Sequence, residues 1–288
     1  NLPDPFSIDS DADFTEAAMA IFRYQANHCD IYRRYLQAIK VAPNSIQHLD
    51  HIPYLPISFF KTHRVVTADF TPEIIFTSSG TTGMNTSRHE VRSLGVYRTA
   101  FQRAFELQYG SPAHYVIYAL LPSYLEREGS SLILMAEELI AQAQPGSGFF
   151  LKHHEELQSL LLANEKAGKK NLLLGVTFAL LDFAEAMPTS LPNTIIMETG
   201  GMKGRRKELI REEVHRILKQ AFGVSQIHSE YGMTELLSQA YSQVDGVFRC
   251  PPWMHVSVRD VQDPLTNFPT GKGGLNITHS EPIEPFLS

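Results

Sequence analysis

The sequence predicts an α/β fold with mixed, largely parallel sheets flanked by helices. Short apolar runs that each end in a Gly- or hydroxyl-containing loop alternate with stretches of helical periodicity, the signature of strands and helices taken in turn. No repeat or low-complexity tract interrupts that alternation, and 288 residues at 43% hydrophobic content suffice for a substantial core.

The elements follow in order. Residues 14–40 carry Phe14, Ala18, Ile21, Phe22, Ile31, Tyr35 and Ile39 at helical spacing, with Asp13 as the expected cap. Residues 1–60 are therefore read as a helical segment packed on a main domain of residues 61–288. Cys29, inside that helical stretch, is expected to be a packed thiol. The two prolines of His51-Ile52-Pro53-Tyr54-Leu55-Pro56 force an extended connection. Beyond it, residues 74–76, 115–121, 172–174, 194–197 and 226–229 read as buried strands of a largely parallel sheet. Helices are expected between them at 96–107, 132–143, 154–166, 178–186 and 205–222, the last stopped by Gly223. Open α/β sheets bind ligands beyond the carboxyl ends of their strands, so three of those ends are expected to line one pocket.

Composition excludes several classes of function. A net charge of -6 with scattered basic residues gives no electrostatic footprint for nucleic acid. The longest apolar stretch, residues 172–181, contains Gly175 and Thr177 and is far short of the about 20 residues that cross a bilayer, so no membrane span is expected. Asn1-Leu2-Pro3-Asp4 has no secretory pattern, and two cysteines without metal spacing, Cys29 and Cys250, suit a reducing cytoplasm.

The chemistry is concentrated in glycine- and hydroxyl-rich loops. Ser78-Ser79-Gly80-Thr81-Thr82-Gly83 offers backbone N–H groups free to converge and hydroxyls to add donors, which suits a phosphate. It lacks the Gly-Lys-Ser/Thr ending of a Walker loop. Taken alone, the six residues fit a phosphate cradle and a hydroxyl-rich surface turn equally. Ser229-Glu230-Tyr231-Gly232-Met233-Thr234-Glu235 adds an aromatic face for a base at Tyr231, close backbone approach at Gly232, a donor at Thr234 and a hard carboxylate at Glu235. Glu198-Thr199-Gly200-Gly201-Met202-Lys203-Gly204 is a third glycine turn.

The first loop resembles the phosphate loop of the adenylate-forming superfamily, and the second resembles its aromatic-Gly-x-Thr-Glu signature, in the right order. The resemblance spans roughly residues 70–280. It is strongest to acyl-protein synthetases of the LuxE type, through residues 76–83 with Ser87, Leu121-Pro122-Ser123-Tyr124 with Ser130-Ser131-Leu132, and residues 198–204. It implies the large N-terminal domain of an ATP- and Mg2+-dependent enzyme. A carboxylic acid, expected to be a fatty acid, is adenylated and passed to a thiol for a partner acyl reductase or acyltransferase. Ser78, Ser79, Gly80, Thr81, Thr82 and Gly83 are then expected to hold phosphates, and Gly200, Gly201, Tyr231 and Gly232 the adenosine. Thr234 is expected at the α-phosphate and Glu235 on the metal, both counted as catalytic.

Two departures accompany the resemblance. Where many members continue with Pro-Lys-Gly, this chain has Met84-Asn85-Thr86-Ser87-Arg88, leaving Arg88 as the candidate replacement for the lysine and a solvated turn as its alternative. The chain also stops before the expected ribose-binding aspartate and the smaller C-terminal domain, so the acceptor cysteine is expected outside it and Cys250 is a poor substitute. Leu121, Ser123, Gly175, Phe178 and Met202 are candidates for the acyl pocket. A phenylacetate-type acyl-CoA ligase and a non-catalytic nucleotide-binding module are the rival readings.

Overall fold

The computed structural model describes residues 4–79, 86–122, 128–200, 209–263, 265–268 and 270–279. Two compact units divide the chain: Asn1–Ala100, Met233–Ser238 and Cys250–Ser288 form the first, and Phe101–Gly232 with Gln239–Arg249 the second.

The first unit opens with α1 (Asp11–His28) and α2 (Asp30–Ala38). The cap of α1 is Ser10, not Asp13: Ser10 Oγ accepts from the Asp13 N–H at 3.1 Å while the Asp13 carboxylate accepts from the Ser10 hydroxyl at 2.7 Å. Asp13 is thus the returning half of a capping box, one turn inside the position expected of it. Cys29 interrupts the helical stretch in an extended conformation and is buried, the packed thiol anticipated. Tyr32 donates to the Pro53 carbonyl at 2.6 Å, pinning the extended proline connection to α2.

A one-turn helix, α3 (Phe59–Thr62), precedes β1 (Ile74–Thr77), β2 (Arg88–Val91) and α4 (Leu94–Tyr109). Here one expectation is corrected. β1 is not a strand of the parallel sheet; it pairs antiparallel with β2, Ile74 opposite Val91 and Thr77 opposite Arg88. Residues 74–76 are too few to show a strand's direction, and the pairing partner lies beyond the loop in a segment too polar to read as a strand.

The second unit is built on a seven-stranded sheet in the order β4-β3-β5-β6-β7-β8-β9. Its strands are β3 (Val116–Leu120), β4 (Gly148–Phe149), β5 (Asn171–Val176), β6 (Ile195–Thr199), β7 (His228–Tyr231), β8 (Ala240–Ser242) and β9 (Phe248–Arg249). Pairings from β4 to β7 are parallel, and β8 and β9 add antiparallel. Every residue of β3 and β5 is buried, as strands covered on both faces require. The helices are α5 (Ser131–Gln142), α6 (His154–Lys166), α7 (Thr177–Ala186) and α8 (Arg211–Phe222). The left-handed Gly223, φ 64°, ends α8 as anticipated. The described part of α8 starts at Arg211; residues 205–208 of the expected 205–222 lie outside the described residues.

The chain closes in the first unit with β10 (Met254–Arg259), β11 (Asn267–Phe268) and β12 (Gly274–His279), an antiparallel sheet ordered β11-β10-β12.

Candidate functional site

In the first unit, the β1–β2 hairpin presents the loop from Ser78 to Ser87. Ser78 N–H donates to the Ser87 carbonyl at 3.1 Å and Ser87 N–H donates to Ser78 Oγ at 2.9 Å. Ser78 therefore closes the neck of the loop, its Oγ acting there as an acceptor. Ser79 is exposed, whereas Gly80, Thr81, Thr82 and Gly83 lie outside the described residues. Arg88, opposite Thr77, is exposed at the same end of the hairpin. It lines a cleft with Lys61, His63, Arg64 and Glu90. The Arg64 charge is matched there by Asp69 at 2.8 Å and Glu90 at 2.9 Å.

The next residue of β2 ties this hairpin to the second signature. His89 Nδ1 lies 2.9 Å from the Thr234 carbonyl oxygen, and the His89 ring packs edge-on against Phe60. A carbonyl only accepts, so Nδ1 carries the proton. Burial pushes the imidazole down to about 4, with His279 adding to the fall and the Thr234 bond opposing it. The ring is thus neutral at neutral pH. Met233 to Leu236 form a turn, closed by Leu236 N–H to Met233 O at 3.1 Å. Ser238, just beyond, accepts from the buried Trp253 indole at 2.9 Å. The Thr234-Glu235 turn is therefore held at both ends, with both side chains half-buried.

In the second unit, neighbouring parallel strands β6 and β7 end in the other two expected contact points. Gly200, φ 68°, leaves β6 exposed; Tyr231 is half-buried with its ring 6.0 Å edge-on from Phe248, and Gly232 is exposed. Gly201 lies outside the described residues. Two buried acids that carried no role in the sequence reading stand beneath these turns. Glu198 Oε1 accepts from Ser229 Oγ at 2.7 Å and its Oε2 from Thr177 Oγ1 at 3.0 Å. Arg211 Nε and His215 Nε2 each stand 3.7 Å from Oε1, a favourable cation and a polar neighbour beyond hydrogen-bond reach. Burial alone raises the Glu198 carboxyl, but these neighbours outweigh it and hold it below its ordinary value.

Glu230 is the opposite case. Thr199 Oγ1 donates to its Oε2, and a Cβ built on Gly232 lies 2.6 Å from its Oε1. Burial, with a smaller contribution from Glu198, pushes this carboxyl up to about 7 against the Thr199 bond. Gly232 is therefore needed by the protein's own carboxyl, whatever ligand approaches from outside. The sequence carries a signal for Glu198, an acid closing the apolar run Ile195-Ile196-Met197, but none for Glu230, whose strand reads His228-Ser229-Glu230-Tyr231.

The acyl-pocket candidates divide. Leu121 and Phe178 are buried, and Ser123 and Met202 lie outside the described residues. Gly175 is corrected: it is in β5, not a loop, and its missing Cβ makes room for Leu180 at 2.8 Å and Leu120 at 3.0 Å. Burial pushes up the thiols of both Cys29 and the half-buried Cys250, the reverse of an activated nucleophile. Among the described residues no group of three or more His, Cys, Asp or Glu is placed to hold a metal, and no helix is long and apolar enough to cross a membrane. A lone Glu235 suits Mg2+, which takes one or two carboxylates and completes its shell with phosphate and water.

The model of the family "Acyl-protein synthetase, LuxE" matches residues 3–114. The match takes in the hairpin and also α1 and α2, which the motif-based resemblance left out. A "Long-chain-fatty-acid--luciferin-component ligase" from Photorhabdus luminescens is 47% identical over 64 residues, 22% of this chain and 54% of that protein. The chain thus spans about half the length of the curated relative it matches. Among solved structures, the ATP-bound RpMatB-BxBclM chimera B3 superposes over 74% of this chain and 41% of its own, with a TM-score of 0.53 and 16% identity. At that identity the likeness is one of fold, and it agrees with the α/β class read from the sequence.

Proposed function

We propose that this chain activates a carboxylic acid, expected to be a fatty acid, with ATP, as the adenylating part of an acyl-protein synthetase. One observation carries the reading. The His89 bond to the Thr234 carbonyl joins the strand that follows the phosphate-type loop to the Thr-Glu signature, within one compact unit. His89, just past the loop, and Thr234 in the signature, 145 residues apart in sequence, are thereby brought into contact. The matched family and the ligase named above support the same chemistry.

In the first step the acid's carboxylate oxygen attacks the α-phosphorus. The bond from that phosphorus to the bridging oxygen breaks, and pyrophosphate leaves with the electron pair. Negative charge accumulates on the phosphates, so the groups at hand are donors and cations. Ser79, Thr81 and Thr82 hydroxyls with the loop N–H groups hold the β- and γ-phosphates, and Arg88 replaces the missing lysine. Thr234 donates to the α-phosphate, Glu235 holds Mg2+, and Tyr231 with Gly200 and Gly201 receives the adenosine. When bound, Mg2+ supplies positive charge against the phosphate oxygens.

In the second step a thiolate attacks the acyl carbonyl and AMP leaves, giving a thioester for a reductase or acyltransferase partner. Neither described cysteine is activated, which favours an acceptor other than Cys29 or Cys250. Carboxylate-dependent ATP–pyrophosphate exchange tests the first step: exchange with long-chain acids is expected, and none across a broad acid panel overturns the proposal. A hydroxylamine-labile acyl group on protein supports the acyl-protein route, whereas acyl transfer only to coenzyme A supports the ligase rival.

A further inference from the structure

The β6–β7 ladder ends at the pair Thr199 and Glu230. Immediately beyond it β6 turns away at Gly200 and β7 continues into Tyr231 and Gly232. At this last pair the two strands are joined by a side-chain bond, Thr199 Oγ1 to Glu230 Oε2. The other carboxyl oxygen of Glu230 fills the space in which a side chain on residue 232 would begin, 2.6 Å from that Cβ position. One buried carboxyl therefore touches both turns, while Gly200 and Gly232 themselves face solvent.

We propose that Glu230 is a positioning residue that sets the separation and tilt of the Thr199-Gly200 and Tyr231-Gly232 turns so that the adenosine half of ATP fits over them. Its oxygens point inward, to Thr199 and to Gly232, so it acts on the ligand only through the two turns. The inference rests on the ATP reading above, and it goes further in assigning recognition of the nucleoside, as distinct from the phosphates, to a residue beneath the site. Glu230→Ala removes the strut. Glu230→Gln keeps its shape and leaves a carbonyl to accept from Thr199. Gly232→Ala drives a methyl group against the carboxyl.

The experiment is calorimetric titration of the wild type and these variants with ATP and, separately, with inorganic tripolyphosphate. ATP binding by Glu230→Ala and by Gly232→Ala is expected to weaken about tenfold, the effect of losing one buried hydrogen bond. Tripolyphosphate binding is expected to be unchanged, and Glu230→Gln to bind ATP like the wild type. In the double variant the Gly232→Ala penalty should largely vanish, because the atom it strikes is gone. Equal losses for ATP and tripolyphosphate, wild-type ATP affinity in Glu230→Ala, or Glu230→Gln as defective as Glu230→Ala each overturn the proposal. If Glu230→Ala does not fold, wild-type ATP affinity in Gly232→Ala overturns it alone. A wild type that binds neither ligand overturns the ATP reading and this inference with it.

Discussion

Replacing Glu230 by Gln should change how stability depends on pH, by an amount the burial of the carboxyl sets. Glu230 is 6% exposed, and its carboxyl is raised from an ordinary 4.5 to about 7. A raised folded value means that the folded state holds its proton more tightly than the unfolded chain. The stabilising contribution is then complete below about pH 4 and is lost as pH rises toward and through 7. A shift of about 2.5 units corresponds to about 3 kcal/mol. Gln cannot ionise, so relative to wild type it should gain about 3 kcal/mol between about pH 4 and pH 8. Urea denaturation of both proteins at a series of pH values measures that difference, and subtraction removes every other titrating group. Parallel pH profiles refute the reasoning, since they mean that Glu230 ionises freely in the folded protein.

Three other outcomes follow from named contacts. His89→Leu leaves the Thr234 carbonyl without its part-buried donor and should cost about 1 kcal/mol in thermal or urea unfolding; His89→Asn, which returns an N–H near Nδ1, should recover much of the loss. Thr234→Ala and Glu235→Ala should each depress ATP–pyrophosphate exchange by about a hundredfold, the scale of losing a group that meets developing charge, and unchanged exchange in both rules out the assigned roles. Ser10→Ala should destabilise by about 1 kcal/mol through loss of the α1 cap, read as a drop in urea midpoint with an unchanged slope.

Strands β3, β5 and β6 of the parallel core were legible in the sequence because each is a self-contained apolar run: residues 172–174 and 194–197 identify β5 and β6 without reference to anything distant. The helices α4 to α7 were legible for the same reason. What depends on pairing across the chain was not. β2 reads as Arg88-His89-Glu90-Val91, polar at three positions, and becomes a strand only because β1 lies opposite. Glycine motifs marked the turns at Gly200 and Gly232 but not what lies beneath them, because the partner atoms come from Thr199 and Glu230 on neighbouring strands. His89 could not be found from spacing at all: its partner is a backbone carbonyl 145 residues away, and any residue supplies a carbonyl.

His89 and Glu230 also explain why the wild-type pH profile alone is a poor probe of either site. The His89 imidazole is lowered from 6.5 to about 4, so the unfolded chain binds its proton first. Stability from His89 is present above about pH 6.5 and is lost as pH falls through 4, about 3 kcal/mol in all. Glu230 does the reverse over nearly the same range. Acid therefore weakens the first unit through His89 while it strengthens the second through Glu230, and where both units unfold together the two contributions largely cancel. Their difference profiles against wild type should have opposite slopes: Glu230→Gln gains with rising pH, and His89→Asn gains with falling pH. Slopes of the same sign contradict the assignment of a neutral imidazole and a protonated carboxyl to the folded protein. The same pair of curves reports separately on the Thr234-Glu235 turn, through His89, and on the Gly200 and Gly232 turns, through Glu230.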